Sequence, residues 1–429
     1  MRRSAIVAIY LVFAFYNDAV FSQQNYSNFN QFLDYVKKQS ITIRSGDIKL
    51  IQAKKAKLAA LLGVLDPSGT QSLSYTNNTR IPVQIIGGQA IETGVPYVTS
   101  FSQNGEIKIL NLSGWENLKL AKLNINITEN DNKLTLKNLY EQLATNYYNI
   151  VNINAQIEAA IENFKSSEIL WQTAESKFKQ GLVKQQDVND AKSSYLSSKE
   201  NIEQYQLLLE QQYLSLKILA DIPEEELFTI TEVTSPVLIS SNPEVSQNDL
   251  EILNATLRER SAYSNYRKSI KENLPTLNFV FNRTSQQFNQ ESNFFDNNVD
   301  WIRSSYIGLR LAINIPSAAT LSQTYKAKYD YELAKLDTEK SKEKAKLNNK
   351  QLIIEFDQAT SQAQSNLEIY NLRRDSYSKN LNLYTQGIIG IDQTINSFNA
   401  MINANYNLIS SNVNVLLALA KIEINNKIQ

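Results

Sequence analysis

Apolar residues recur every seven positions over long stretches of this 429-residue chain. A strict seven-residue repeat keeps one apolar seam of a helix facing its neighbour, so it predicts coiled-coil packing of long helices. Glycine and proline number only 12 and 8, and a chain with few such breakers forms long elements. The seams are Leu143, Ile150, Ile157, Phe164, Trp171 and Phe178; Val188, Tyr195, Ile202, Leu209 and Leu216; Phe356, Ala363, Tyr370, Tyr377 and Tyr384; and Ile395, Ile402, Ile409 and Leu416.

An aromatic-x-x-Gly turn joins two seams in each half of the chain. Gly181 comes three positions after Phe178, and Gly387 comes three positions after Tyr384. The spacing from Gly181 to Gly387 is here called the repeat offset, and the seam residues from 356 to 384 repeat those from 150 to 178 at this offset. The sequence therefore predicts an internal duplication, with two antiparallel helical hairpins of one design. Each turn glycine is expected to adopt a positive φ.

Short β-like runs interrupt the helical pattern in the first half. Residues 26–65 are predicted to be helical and to stop at the Asp66-Pro67-Ser68-Gly69 segment. From 71 to 127 the pattern changes to short strands punctuated by glycines, including the Asn104-Gly105 pair. The region 71–127 is therefore predicted to consist of strands and turns, with the long helix beginning near residue 133.

A second pair of strands lies at the equivalent place in the second half. Residues 277–282 and 309–315 alternate apolar and polar side chains, across a polar connection at about 283–300. Trp301 and Tyr306 lie near the end of the second strand. Such alternation occurs both in transmembrane β-strands and in half-buried strands of soluble sheets, so the pattern alone leaves both open.

The composition excludes several classes of function. The chain contains no cysteine and no histidine, which removes disulfides, Cys or His metal sites and His-based catalytic triads. Lysine and arginine together number 43, as do aspartate and glutamate. This balance provides no field to attract nucleic acid. No motif for carboxylate chemistry is found, so an enzyme is not predicted, and no cofactor is expected.

The N-terminus has the pattern of a secretory signal peptide. Arg2 and Arg3 precede an apolar run at residues 6–15, which is too short to span a bilayer as a helix. Ser22 offers a small residue at the cut, so cleavage is expected near Ser22/Gln23. The predicted plan is then a signal peptide at 1–22, a first repeat at 23–223, a link at 224–249 and a second repeat at 250–429.

Taken together, these features resemble the TolC-type outer-membrane efflux and secretion channels. The resemblance covers about 25–425 and depends on six features. These are the leader, the duplicated halves, a strand pair in each half, very long hairpins, aromatic-x-x-Gly turns with a following Asp, and the Leu274-Pro275-x-Leu277 segment that opens the third strand.

The resemblance implies a mainly α fold with β strands, built as a homotrimer. Long antiparallel hairpins would form a trimeric α-barrel, and four strands per chain would contribute to a shared 12-stranded transmembrane β-barrel. It further implies the outer membrane of a Gram-negative bacterium, extension into the periplasm, contact with outer-membrane lipid, and partners in a periplasmic adaptor and an inner-membrane transporter of the RND or ABC type.

In that family the glycine turns are the periplasmic tips of the hairpins, where partners dock. The residues that match these tips are Gly181, Leu182, Val183, Gly387, Ile388 and Ile389. Ile389 stands where well-studied members carry arginine. The tip is therefore expected to hold fewer charges than is usual in the family.

The family also closes its channel through polar links at the tips. By resemblance the gate and constriction residues are Asp187, Tyr384, Asp392, Gln393 and Asn396, with a hydrogen bond available between Tyr384 and Asp187. Gln393 and Asn396 fall where the family places an acidic ring, which makes such a ring doubtful here. Asp187 also suits a helix N-terminus and Tyr384 a packed seam, so a structural role remains open for both.

The predicted function is that of a passive exit duct in a tripartite efflux or type I secretion system. In this family the partner transporter selects the cargo. The alternative is a secreted or periplasmic coiled-coil scaffold or adhesin without a pore. The strand pairs favour the duct, because a scaffold has no reason to interrupt its helices twice at equivalent places.

Overall fold

A computed structural model describes residues 24–232, 243–247 and 249–428. The predicted signal peptide, its cleavage site and residues 233–242 and 248 of the predicted link lie outside these ranges. The helices are α1 (Phe29–Gln39), α2 (Ile41–Leu65), α3 (Leu112–Lys179), α4 (Gln185–Ala220), α5 (Leu250–Lys271), α6 (Ala318–Thr385) and α7 (Ile391–Lys427). The strands are β1 (Gln24–Tyr26), β2 (Ser68–Asn77), β3 (Val83–Ile86), β4 (Gln89–Glu92), β5 (Tyr97–Leu110), β6 (Phe228–Ile230), β7 (Thr276–Asn289) and β8 (Ile302–Ala312).

The predicted class, mainly α with β strands and long antiparallel hairpins, is confirmed. Helices α3 and α6 both contain 68 residues, and both ends of α6 match those of α3 at the repeat offset. The start of α7 matches the start of α4 at this offset, and the end of α5 matches the end of α2. The offset read from the two glycine turns thus extends through most of each half.

The prediction of strands and turns as far as residue 127 is wrong, because α3 begins at Leu112. Asn111 caps this helix: its Oδ1 accepts a hydrogen bond from the Gly114 N–H at 2.9 Å. Asn111 Nδ2 donates to the carbonyls of Gly63 and Val64, both at 3.1 Å, and so satisfies carbonyls at the end of α2 as well. One asparagine therefore ends one helix and starts the next.

The described chain divides into two compact units. Unit 1 comprises the described residues up to Arg44, those within 133–249 and those from Ala345 onward. Unit 2 comprises residues 45–132 and 250–344. Helices α3 and α6 contribute residues to both units.

Aromatic packing forms the core of unit 1. Phe32 and Val36 of α1 and Tyr147 of α3 are fully buried, and the Phe32 and Tyr147 rings lie 5.7 Å apart. Burying one large apolar side chain contributes about 1.5–3 kcal/mol. Beside this core, β1 and β6 form a parallel two-stranded sheet. The predicted link at 224–249 therefore contains a short strand, β6, which its polar sequence does not indicate.

The seven-residue seams pack as the repeat predicts. Phe356 of α6 is buried against Val415 and Ile422 of α7, and Tyr195 of α4 lies 5.0 Å from the rings of both Phe164 and Trp171. Most seam residues are buried or half-buried, but Phe178 keeps 40% of its surface exposed.

Helices α3 and α5 are joined in unit 2 by a buried carboxylate. Glu116 accepts hydrogen bonds from Lys271 Nζ at 2.7 Å and Ser264 Oγ at 3.3 Å, and Arg267 Nε lies 3.3 Å from it. Burial opposes ionisation of this group, but the two cations outweigh burial and lower the pKa of Glu116. Each cation comes from the same face of α5, so the pairing fixes which face meets α3.

Unit 2 also contains a four-stranded antiparallel sheet in the order β2-β5-β7-β8. The predicted turn at Asn104-Gly105 is wrong, because both residues lie inside β5 and pair with β2 and β7. The predicted connection at 283–300 is also too long, since β7 continues to Asn289. A separate hairpin, β3-β4, lies in the β2–β5 connection and turns at Gly87 and Gly88, both with positive φ.

The two faces of this sheet differ in polarity, because side chains alternate along each strand. One face, here called the apolar face, exposes Phe279, Phe281, Ile307, Leu309 and Leu311. The opposite, polar face carries Ser72, Ser102, Asn104, Asn282, Thr284 and Ser304. Among the described helices none is both long and apolar enough to cross a membrane.

Candidate functional site

The two glycine turns have the same hydrogen-bonded geometry. After α3, the Leu182 N–H donates to the Lys177 carbonyl and the Gly181 N–H to the Phe178 carbonyl, both at 2.9 Å. This pair of bonds is the Schellman motif, which satisfies the last carbonyls of a helix and needs a left-handed residue. Gly181 has φ +71° and supplies it.

The second turn repeats this motif after α6. The Ile388 N–H donates to the Leu383 carbonyl at 2.9 Å and the Gly387 N–H to the Tyr384 carbonyl at 3.0 Å. Gly387 has φ +78°. A Cβ at either glycine would meet nothing within 4 Å, so backbone conformation alone requires the glycine.

Asp187 caps the helix that leaves the first turn. Its Oδ2 accepts a hydrogen bond from the Lys184 N–H at 2.8 Å, three positions earlier in the chain. This places a carboxylate in the first turn of α4, where the helix dipole favours negative charge. Asp187 therefore has the structural role that its sequence position allows, at the N-terminus of a helix. The position that matches Asp187 at the repeat offset, after the second turn, is the exposed Gln393.

Tyr384 is 2% exposed and lies at the end of α6 among side chains from all four helices of the hairpins. Lys177 Nζ lies 4.4 Å from its ring centroid and donates a hydrogen bond to its backbone carbonyl. Burial, and secondarily the charge of Asp187, raise the pKa of the Tyr384 hydroxyl. Its Oη has no hydrogen-bond partner in the described part of the chain, so the predicted bond to Asp187 does not form within it.

Ile389 belongs to the same packing cluster, here called the tip cluster. An isoleucine at this position adds apolar contact where an arginine would bring a charge. The buried members of the tip cluster are Leu170, Ala174, Val188, Ala191, Tyr384 and Ile391.

The two turns border one groove of about 1010 Å³. Of the predicted tip and gate residues, those lining it are Leu182, Val183, Asp187, Tyr384, Gly387, Ile388 and Ile389. Leu182 and Ile388 stand at equivalent positions and keep 67% and 64% of their surfaces exposed. Sequence reasoning missed Lys177, which lines the groove and contacts Tyr384; its position in α3 carries no recognisable motif.

A second, polar groove of about 880 Å³ lies between α4 and α7. Asp392 and Asn396 line it, whereas Gln393 lines neither groove. Asp190, which sequence reasoning also missed, lines this groove and matches Asn396 at the repeat offset. The other polar residues of this groove are Ser193, Ser194, Ser197, Ser198, Asn201, Asn399 and Asn403.

The described residues of the two grooves offer apolar packing and polar surface. Within the described ranges, no group of three or more carboxylates is placed to hold a metal ion. The tips therefore combine exposed apolar turn residues with a polar groove between α4 and α7.

Comparison with known families shows what the first of these tips resembles. Residues 89–220 match the family model described as outer membrane efflux protein. That segment begins in β4 and ends with α4, so it includes the first turn. The resemblance to TolC-type outer-membrane channels is confirmed. This family consists of channels rather than enzymes, and the match supports a role of the chain as an efflux channel.

Solved structures of TolC-type channels share the fold over nearly their whole length. The outer membrane protein VceC of Vibrio cholerae is 13% identical, with a TM-score of 0.73 over 92% of this chain and 95% of that one. The CmeC outer membrane channel of Campylobacter jejuni is 15% identical, with a TM-score of 0.70 over 92% and 85%. The open state of the MtrE outer membrane channel of Neisseria gonorrhoeae is 12% identical, with a TM-score of 0.68 over 93% and 88%.

At these identities the likeness is one of fold. No curated protein matches the sequence significantly.

Proposed function

We propose that this chain is the outer-membrane exit duct of an envelope-spanning efflux or secretion system. The duct conducts cargo passively, and an inner-membrane transporter of the RND or ABC type supplies the energy. The chain carries a signal peptide that is cleaved near Ser22/Gln23 and resides in the outer membrane of a Gram-negative bacterium. The efflux-family match over 89–220 supports this proposal.

The observation that carries it is the exposed apolar face of the four-stranded sheet. Ile307, Leu309 and Leu311 on this face are 63–71% exposed, whereas the opposite face carries serine, threonine and asparagine. A sheet with this polarity suits lipid on one side and water on the other.

Four strands cannot form a closed barrel, and open sheet edges do not face lipid, so further strands must come from other chains. Strand β8 runs antiparallel to β7, as β5 does, and β2 runs antiparallel to β5. The β8 edge of one chain can therefore pair antiparallel with the β2 edge of the next. Three chains give twelve strands, which is the homotrimer proposed here.

We further propose that the helical hairpins of the trimer form the periplasmic tunnel and that a periplasmic adaptor docks on their tips. The tip residues are Gly181, Leu182, Val183, Gly387, Ile388 and Ile389. Exposed Leu182 and Ile388 at equivalent places support this assignment, since exposed apolar surface often marks a protein interaction site.

Asp187, Tyr384, Asp392, Gln393 and Asn396 are proposed to form the gate and constriction. Support comes from the Tyr384 hydroxyl, which is buried without a partner in the described chain and can pair with a polar group once the tip rearranges. The polar groove lined by Asp392 and Asn396 supplies a hydrated wall beside it.

The test is assembly in membranes together with conductance in a planar bilayer. The wild-type protein is expected in the outer-membrane fraction as heat-modifiable trimers that conduct. Leu309→Arg, on the apolar face, is expected to abolish membrane assembly, because a cation facing lipid costs about 2–4 kcal/mol per chain. Ser304→Arg, on the polar face of the same strand, is the matched control and should assemble. A soluble periplasmic monomer, or equal assembly of both variants, would refute the duct and favour the scaffold.

A further inference from the structure

Two arginines lie on the apolar face of the sheet, where their charge has no partner. Arg283 pairs with Ser305 across β7 and β8, and Arg303 pairs with Ser285, so the two arginines are diagonal neighbours on one face. Diagonal neighbours in a sheet are roughly 7–8 Å apart at the backbone, a separation that two long side chains can close. Neither guanidinium forms an ion pair or a hydrogen bond with another described residue.

Arg310, on the polar face of β8, has a different environment. Its Nη1 lies 3.5 Å from Glu106 Oε2, so this arginine is paired within the sheet. Both arginines of the apolar face are exposed, so their guanidinium groups remain available to a partner outside the chain.

The connection between β7 and β8 folds back over the same end of the apolar face. Gln287 is 1% exposed, and its Nε2 donates to the carbonyls of Asp296 at 2.5 Å and Val299 at 2.7 Å. The fully buried Thr99 donates to the Phe294 carbonyl at 2.7 Å. These bonds hold the connection in place against the strands, so the pocket that it borders has a fixed wall.

The connection and the strands border an open pocket of about 440 Å³. Leu73 and Phe101 of the strands and Phe295 and Trp301 of the connection give it apolar walls, and Arg283 and Arg303 also line it. The three carboxylates of the connection, at Glu291, Asp296 and Asp300, do not line the pocket. Its charged lining is therefore positive.

We propose that this pocket binds an anionic lipid whose headgroup is a phosphomonoester. Paired guanidinium groups hold a phosphate through bidentate, charge-assisted hydrogen bonds, and the aromatic walls pack against the start of the acyl chains. The exposed apolar side chains that continue along the same face, including Phe281, Ile307 and Leu309, provide the surface for the rest of those chains.

The proposal rests on the proposed function, because it requires the apolar face to meet lipid. The pocket lies at the end of the strands opposite the helices, at the β7–β8 connection. In the proposed duct this end faces the cell exterior, so the site would take a lipid of the outer leaflet.

Quenching of Trp301 fluorescence tests the site directly. Replacing the other two tryptophans, Trp115 and Trp171, by phenylalanine leaves Trp301 as the only reporter. The full-length protein is reconstituted in phosphatidylcholine vesicles that contain either dibrominated phosphatidic acid or dibrominated phosphatidylcholine. The phosphatidic acid is expected to quench Trp301 at a roughly tenfold lower mole fraction, as two charge-assisted contacts would give.

The double variant Arg283→Gln/Arg303→Gln is expected to lose this preference, whereas Arg310→Gln, the matched control, keeps it. Equal quenching by the two lipids, or a preference that survives the double variant, would overturn the proposal. Inorganic phosphate should not displace the brominated phosphatidic acid at equal concentration, and displacement would assign the pocket to free phosphate instead.

Conductance of the same reconstituted proteins, with their tryptophans intact, separates this proposal from the proposed function. Channels that conduct without any lipid preference would refute the lipid site alone. Absence of both conductance and quenching by either brominated lipid would refute the duct and the site together.

Discussion

The two hairpin tips are built on the same turn but are stabilised in different ways. Gly181 and Gly387 make the same two backbone hydrogen bonds, one in each half of the duplication. At the first tip a carboxylate, Asp187, caps the outgoing helix, and the aromatic residue before the turn, Phe178, is 40% exposed. At the second tip the aromatic residue Tyr384 is buried, and no side chain caps the outgoing helix.

This difference shows that duplication has conserved backbone geometry while the side chains have diverged. Both tips contribute to the tip cluster, but the first adds a polar cap, whereas the second adds the buried Tyr384 and the apolar Ile389. Local opening of each tip, measured by hydrogen exchange of its amides, can separate these two sources of stability.

The largest contrast is expected from truncating the aromatic residue before each turn. Tyr384→Ala should lower the free energy of local opening at the second tip by about 3–5 kcal/mol, because a fully packed ring is removed. Phe178→Ala should lower it at the first tip by about 1 kcal/mol or less, since much of that ring already contacts solvent. Similar losses at the two tips would contradict the packing difference.

Replacing the turn glycines should lower the local stability of the two tips by the same amount. Gly181→Ala and Gly387→Ala should each cost about 1–2 kcal/mol of local stability, because a left-handed conformation disfavours any Cβ. Neighbouring atoms add nothing to this cost, as neither Cβ would meet one within 4 Å. Hydrogen exchange at both turns measures the effect, and a difference between the turns larger than the cost itself would show that they are not equivalent.

Exchanging the residue types at Asp187 and at its equivalent, Gln393, should give smaller effects of opposite sign on the stability of the two tips. Asp187→Gln should destabilise the first tip by roughly 0.5–1 kcal/mol through loss of the bond from Lys184. Gln393→Asp should stabilise the second by about 0.3–1 kcal/mol, because it places a carboxylate in the first turn of α7. Hydrogen exchange of the first turns of α4 and α7 tests both, and salt should weaken each change.

The smallest effect on stability is expected from Tyr384→Phe. The hydroxyl is buried without a partner in the described chain, so its removal should leave local stability within about 0.5 kcal/mol. If the proposed gate is correct, the same variant raises single-channel conductance in a planar bilayer, as does Asp187→Ala. Unchanged conductance in both variants would remove the gate assignment but leave the fold intact.

Much of the helical architecture could be predicted because its signals are periodic and repeated. The seven-residue seams and the two turn glycines identify both hairpins. Gly181 and Gly387 could be identified because a turn that requires positive φ favours glycine at that position.

The start of α3 could not be predicted because its local pattern imitates a strand. Leu123, Ile125 and Ile127 alternate with asparagine and threonine, yet they lie in a helix. The cap that starts this helix depends on Asn111, whose partners at Gly63 and Val64 are distant in sequence. Similarly, Asn104 and Gly105 have a turn composition but are held in β5 by neighbouring strands on both sides.

The candidate site was only partly predictable for a related reason. Turn residues are set by local backbone geometry, but the burial of Tyr384 and its contact with Lys177 depend on how α3 and α6 meet. Residues that are brought together from two halves of the chain leave no spacing that a single sequence can reveal.

The equal length of α3 and α6 limits how this protein can change during evolution. One inserted residue lengthens a helix by about 1.5 Å and rotates everything after it by about 100°. A single-codon insertion in either 68-residue helix would therefore displace its turn from the groove that both turns share and turn its apolar seam away from its neighbour. Insertions and deletions should survive in these helices only in multiples of seven, matched on the returning helix and in the other hairpin.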